Sequence, residues 1–147
     1  MITDYSNARD EIFAQLTAVL PALNTLLGYT PNIVYQGVET AVKMPTDKLW
    51  VRISQQTVIE TQATLRADNG RRYRSEGLVF VQIFIPKTEP QNYAFGLSCA
   101  NVIKNAYRGK QTNGCIWFRN VRIQELPAEM AWFRVNVVAE YQYDEIG

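Results

Sequence analysis

The N-terminal part of the chain has the periodicity of an amphipathic helix. Apolar residues recur at steps of three and four between Ser6 and Leu27, which places them along one side of a helix. Ser6 or Asn7 is the expected N-cap. Pro21 lies inside the pattern. Because proline lacks an N–H and clashes with the preceding turn, we predict a kink or break near Leu20.

The rest of the chain alternates between predicted strands and one further helix. The strands are rich in β-branched and aromatic residues, and they are predicted at 31–35, 49–57, 77–86, 115–126 and 131–143. The segment 77–86 is apolar at nearly every position, which is typical of a central strand covered on both faces. The second helix is predicted over 90–108, and residues 127–129 are predicted to form the last turn.

This order of elements predicts an α+β fold. An antiparallel or mixed sheet of about five strands would be flanked by two main helices. A length of 147 residues fits one domain, which we expect to span residues 1–147. The N-terminus lacks the features of a signal peptide and no segment is long and apolar enough to span a membrane, so we expect a protein that stays in the cytoplasm.

Composition excludes several classes of chemistry. The chain has no histidine, which excludes His-dependent triads and His metal sites. Fifteen basic and fourteen acidic residues give a net charge of +1, which argues against a strongly basic nucleic-acid binder. Cys99 and Cys115 could pair, but we expect both to be reduced and buried. Without a catalytic or glycine-rich motif, we expect no enzymatic activity, no metal and no cofactor.

An arginine-rich segment before the central strand is the most distinctive polar feature. Residues 63–75 contain one acidic residue and four arginines, which are Arg66, Arg71, Arg72 and Arg74. Asn69-Gly70 within the segment is a strong hairpin signal, so the arginines are predicted to lie on an exposed loop. Such a loop is either simply solvated or a docking arm for carboxylates or phosphates. Tyr73 among the arginines is compatible with nucleic-acid binding.

Aromatic residues are the second notable feature. They make up 12% of the chain and include two adjacent pairs, Trp117-Phe118 and Trp132-Phe133. Neighbours in a strand point to opposite faces of the sheet, so each pair would put one ring on either side. One side is expected to pack on a helix, and the other requires a second cover, either another helix or another subunit.

The chain resembles a known family in three segments and in its overall layout. Residues 49–53 (LWVRI), 77–86 (GLVFVQIFIP) and 132–145 (WFRVNVVAEYQYDE) are similar to those of small tail-terminator-like proteins of long-tailed bacteriophages and prophages. The resemblance implies an α/β domain that forms a ring of six subunits. That ring caps the tail tube, ends its polymerisation and offers the surface to which the head connector joins.

The same resemblance implies the partners and the location of the protein. The partners are further copies of the chain, the tail tube protein and the head–tail connector, with no membrane and with DNA at most passing through the ring. The protein would be found in the host cytoplasm during assembly and then in the virion tail. The alternatives are another head–tail connector or neck protein, or a nucleic-acid-binding module that uses the arginine segment.

A ring requires two different patches on each subunit that fit each other. The sequence offers the arginine segment (Arg66, Arg71, Arg72, Tyr73 and Arg74) and an acidic end (Glu140, Asp144 and Glu145). We predict that the arginine segment of one subunit binds the acidic end of the next. We also expect the arginine loop to be mobile in the free subunit, because it has no apolar anchor.

Overall fold

The computed structural model describes residues 4–37, 47–62, 72–112 and 114–146. The elements in these ranges are α1 (Tyr5–Thr17), α2 (Leu20–Leu27), β1 (Asn32–Tyr35), β2 (Trp50–Gln62), β3 (Arg72–Pro86), α3 (Asn92–Tyr107), β4 (Trp117–Glu129) and β5 (Trp132–Ile146). The strands form one sheet in the order β1–β2–β3–β5–β4. β1 is parallel to β2, and the other neighbours are antiparallel. The predicted α+β class with a mixed five-stranded sheet is confirmed.

The N-terminal helical segment is broken as predicted. α1 ends at Thr17 and α2 begins at Leu20. Pro21 lies in the first turn of α2, where no intrahelical bond requires its missing N–H. Gly28 follows α2 in the left-handed conformation at φ 80°, which glycine adopts without a Cβ clash. The single predicted helix is therefore two helices, each with an end defined by its own sequence.

The predicted N-cap is wrong by a few positions. The Asp4 carboxylate accepts a hydrogen bond from the Asn7 N–H at 2.8 Å, and Asp4 has the extended backbone typical of a cap. Neither Ser6 nor Asn7 caps α1, because both already lie within it. No helix in the described part of the chain is long and apolar enough to cross a membrane.

β2 and β3 extend well beyond their predicted limits. β2 continues to Gln62 and β3 begins at Arg72, and Gln62 pairs with Tyr73 across the two strands. The predicted arginine loop is therefore strand from Arg72 onwards, because the main-chain ladder continues although the side chains are polar. Residues 63–71, with the predicted Asn69-Gly70 turn and the expected mobility of the loop, lie outside the described residues.

The last hairpin turns later than predicted. β4 continues to Glu129, and Met130 and Ala131 form the turn instead of residues 127–129. Pro127 fits within β4 because this is an edge strand whose register shifts between Leu126 and Glu129. Proline is tolerated at such positions, where no neighbour requires its N–H.

The core lies between the helices and one face of the sheet, which we call the helix face. Val79 to Ile85 of β3 contribute every second side chain to this core, and those side chains are fully buried. α3 packs over them through Ile103. The Tyr107 hydroxyl of α3 donates to the Ile12 main-chain oxygen of α1 at 2.9 Å. This bond ties the two helices together over the sheet.

The other face of the sheet, called the open face below, has no helix over it among the described residues. Leu78, Phe80 and Gln82 are the intervening residues of β3, and they remain partly exposed. The prediction that the central strand is covered on both faces is therefore wrong for the single chain. The β3 side chains that point to the helix face fill the core, whereas several of those that point to the open face stay at the surface.

Candidate functional site

The predicted arginine segment and the predicted acidic end meet at one end of the sheet. β3 is antiparallel to β5, so that Tyr73 lies opposite Glu145 and Arg74 lies opposite Asp144. We call this part the charged end, and it comprises residues 59–62, 72–76 and 142–146. Arg66 and Arg71 lie outside the described residues. The remaining residues of the predicted interface are strand residues whose side-chain directions are set by the pleat.

Asp144 has its cationic partners within its own chain. Arg74 Nε donates to Asp144 Oδ1 at 3.0 Å, and Arg72 Nε lies 3.9 Å from Oδ2. From the sequence we predicted that Asp144 binds an arginine of a neighbouring subunit, whereas the cross-strand register brings it to these two arginines of its own chain. Because both arginine side chains are more than 40% exposed, solvent screens these pairs and they contribute little to folding.

The strand pleat separates the predicted interface residues onto two faces. Arg72, Arg74 and Asp144 lie on the open face, whereas Tyr73 and Glu145 lie on the helix face, as the alternation in the β3–β5 register requires. The sequence predicts one patch that contains the arginines and Tyr73. In the structure that patch is divided between opposite sides of the sheet.

Carboxylates gather on the helix-face side of the charged end. Partial burial raises the pKa of the Glu145 carboxyl, and the negative charges of Glu60 and Asp4 raise it further. We call Asp4, Glu60 and Glu145 the acidic cluster. Among the described residues, neither Glu60 nor Glu145 takes part in an ion pair. The cluster is therefore an area of negative charge in which no ion pair among the described residues balances Glu60 or Glu145.

We expect Glu145→Gln to stabilise the isolated chain by less than about 1 kcal/mol at pH 7. The folded chain holds the Glu145 proton more tightly than the unfolded chain does. Ionisation at neutral pH therefore costs folding free energy, and this cost disappears as the pH falls below the unfolded value near 4.5. Urea unfolding at pH 7 and pH 4 should show the gain only at pH 7. An equal gain at both pH values would contradict this electrostatic origin.

Two further arginine–glutamate ion pairs lie along the open face. Arg119 lies 3.8 Å from Glu76, and Arg122 lies 3.4 Å from Glu140. Glu140, which the sequence analysis placed in the acidic end, therefore also has a partner in its own chain. Neither arginine of β4 was among the interface residues predicted from the sequence. A register shift in β4, at Asn120 with φ 51°, brings two residues three positions apart onto the same face.

An aromatic cluster occupies the opposite part of the open face. Trp50 stacks on Phe84 with ring centroids 4.0 Å apart, and Trp132 meets Trp50 edge to face at 6.1 Å. The Arg52 guanidinium lies 5.2 Å from the Phe84 ring centre and its Nε donates to Gln82 at 2.9 Å. These rings pack against one another, and the Arg52 guanidinium packs against the Phe84 ring.

Both aromatic pairs divide between the faces as predicted. Trp117 is 58% exposed whereas the adjacent Phe118 is buried. Trp132 lies in the open-face cluster, whereas Phe133 packs edge to face on Tyr93 of α3 at 5.3 Å. The second cover that the sequence analysis required is not a helix in the described part of the chain.

The two cysteines are free thiols in different surroundings. Burial raises the pKa of the Cys99 thiol to about 12, so that it stays protonated and weakly nucleophilic at neutral pH. Cys115 is exposed and has a φ of 67°, so the prediction that it is buried is wrong. It lies at the protein surface, in the turn that precedes β4. No group of three or more acidic or cysteine side chains in the described ranges is arranged to hold a metal ion.

The chain is similar in fold to solved structures of other proteins. No protein-family model and no curated protein sequence matches the chain. One similar solved structure is 16% identical, with a TM-score of 0.59, and the match covers 91% of this chain and 94% of the other. Another belongs to the virion of a native gene transfer agent (GTA) particle; it is 16% identical, with a TM-score of 0.54, and the match covers 92% and 93% of the two chains. The protein thus shares its fold with a chain of a virion particle.

Proposed function

We propose that the protein is a structural component of a phage-like particle and forms a ring that ends the tail tube. The observation that carries this proposal is the shared fold with a chain of the GTA virion, which extends over 92% of this protein. The similarity of three segments to tail-terminator-like proteins supports the finer assignment, a ring of six subunits that stops tube growth and joins the head connector.

The surface of the single chain supports a role in assembly. The open face carries arginine and aromatic side chains, the residue types enriched in protein interfaces. Trp117 is 58% exposed and Met130 is 91% exposed, which gives further apolar area at the two ends of the edge strand β4. A partner on these surfaces would remove that area from water, and such burial favours association.

In this proposal the protein works by shape and self-association, without catalysis and without a cofactor. Its partners are further copies of itself, the tail tube protein and the head–tail connector, and DNA at most passes through the ring. The protein assembles in the host cytoplasm and then stays in the virion tail. Another neck or head–tail joining position is the nearest alternative within the same class.

Nucleic-acid binding is a second candidate because Arg52 and the arginines of the charged end lie on one face of the sheet. Two observations favour a protein partner. Phe84 is buried by Trp50 and Arg52, so its ring is not free to stack on a base. The net charge of +1 also gives little attraction for a phosphate backbone.

Electron microscopy and native mass spectrometry of the purified protein test the proposal. We expect closed rings of six subunits that become more abundant as the protein concentration rises. A species that stays monomeric at every concentration would contradict the ring. Gel-shift measurements with double-stranded DNA at several salt concentrations test the second candidate, which predicts binding that falls steeply with salt.

A further inference from the structure

The two faces of the sheet differ in net charge at and near the charged end. On the open face, the side chains of Arg72, Arg74, Arg119 and Arg122, which we call the arginine row, face three carboxylates at 3.0–3.9 Å. Each arginine of the row is at least 43% exposed. A guanidinium has five N–H donors, so Arg74, Arg119 and Arg122 each have more donors than these carboxylate contacts use.

The opposite side of the charged end presents carboxylates. Glu60 lies on the helix face because it pairs with buried Ser75 across β2 and β3, and Glu145 lies there opposite Tyr73. Asp4 precedes the first turn of α1, and its charge acts on Glu145. The acidic cluster therefore lies on the helix-face side of the charged end, whereas the arginine row starts at that end with Arg72 and Arg74 and continues along the open face to Arg119 and Arg122.

We propose that the acidic cluster of one copy docks on the arginine row of the next copy. This inference rests on the proposed ring and names the contact that builds it. Because the complementary patches lie on opposite faces of the sheet, each docking step leaves a free patch of each kind at the two ends of the assembly. Such a head-to-tail contact closes into a ring when each copy is rotated by a constant angle from the last.

Charge complementarity is the reason to choose a second copy as the occupant. The acidic cluster has repulsion to relieve, and a guanidinium fork binds carboxylates through two hydrogen bonds. The arginine row contains four guanidinium groups and three carboxylates, so it carries a net positive charge that a carboxylate of a neighbouring copy would balance.

A charge-exchange experiment tests this contact. One variant carries Glu60→Lys with Glu145→Lys, and a second carries Arg119→Glu with Arg122→Glu. All four side chains are partly or well exposed, and circular dichroism would establish that both variants fold. The matched controls reverse exposed charges elsewhere, with Asp47→Lys and Glu89→Lys in one chain and Arg108→Glu and Lys110→Glu in another.

We expect each interface variant alone to assemble only at concentrations about a hundredfold higher than wild type, because like charges then face each other across every contact. An equimolar mixture of the two variants should form mixed rings again, since alternating copies restore opposite charges at each contact. The control variants should assemble as wild type does.

The possible failures are distinguishable. Wild-type rings that persist unchanged in both interface variants would overturn the docking contact and leave the proposed ring intact. Loss of rings in each variant without recovery in the mixture would also overturn it. The rings would then need these side chains for a reason other than opposite charges at the contact between copies. A wild-type protein that never forms rings would contradict the proposed function itself, and this is measured before any variant is made.

Discussion

Replacing Gly77 with alanine is expected to destabilise the fold by about 3 kcal/mol or more, since the added Cβ has no space and the backbone around it is fixed. A Cβ on Gly77 would overlap the main-chain oxygen of Gln56 and would lie 2.5 Å from the Tyr141 hydroxyl oxygen. Gly77 pairs with Thr57 on one side and Tyr141 on the other. The Tyr141 hydroxyl is itself fixed by a 3.1 Å hydrogen bond with Thr57.

Relief of this overlap requires β2 or β5 to move away from β3, which breaks main-chain hydrogen bonds in the centre of the sheet. Urea unfolding measures the loss. Gly28→Ala is the matched control, because Gly28 has open space around its Cβ position and a φ of 80°. That substitution costs about 1 kcal/mol of backbone strain. Equal losses for the two variants would show that close strand packing is not the reason for glycine at position 77.

Ile83→Ala is expected to cost about 3–4 kcal/mol, which is within the range for deleting a buried isoleucine side chain. Ile83 is completely buried on the helix face of β3, and its cross-strand neighbours Val51 and Val135 are completely buried as well. The surrounding strands hold these neighbours in place, so the cavity collapses only partly and the remaining space adds to the lost transfer free energy.

Leu78→Ala is the control for this prediction, since Leu78 lies in the same strand but on the open face and is partly exposed. We expect a loss of about 1 kcal/mol in the isolated chain, because less apolar surface returns to water. Thermal unfolding of both variants measures the difference in Tm. Similar losses would contradict the assignment of one packed face and one open face to β3.

The elements of the fold follow largely from local sequence. The break before Pro21 and the end of α2 at Gly28 are backbone effects of single residues, so they are visible without tertiary information. The apolar run of β3 and the alternation in β5 also predict their strands correctly, because the side-chain period of a strand is a local property. The strand limits are predicted less well, since cross-strand pairing extends β2 to Gln62 and β3 back to Arg72.

The candidate site depends on information that no local pattern contains. The sequence identified the arginine segment and the acidic end as charged, and it placed Trp117 and Phe118 on opposite faces. Only the tertiary structure decided that Asp144 pairs with Arg74 in its own chain, because that contact joins residues 70 positions apart.

The sequence alone therefore determined the element types, the composition of the surface and the absence of histidine chemistry. These properties depend on residue identity and on short-range periodicity. The tertiary structure decided which charges share a face, through the register of β3 with β5 and the shift of register in β4. A one-residue change of register moves every side chain of a strand to the other face, and for this reason the division between the arginine row and the acidic cluster could not be inferred from the order of residues.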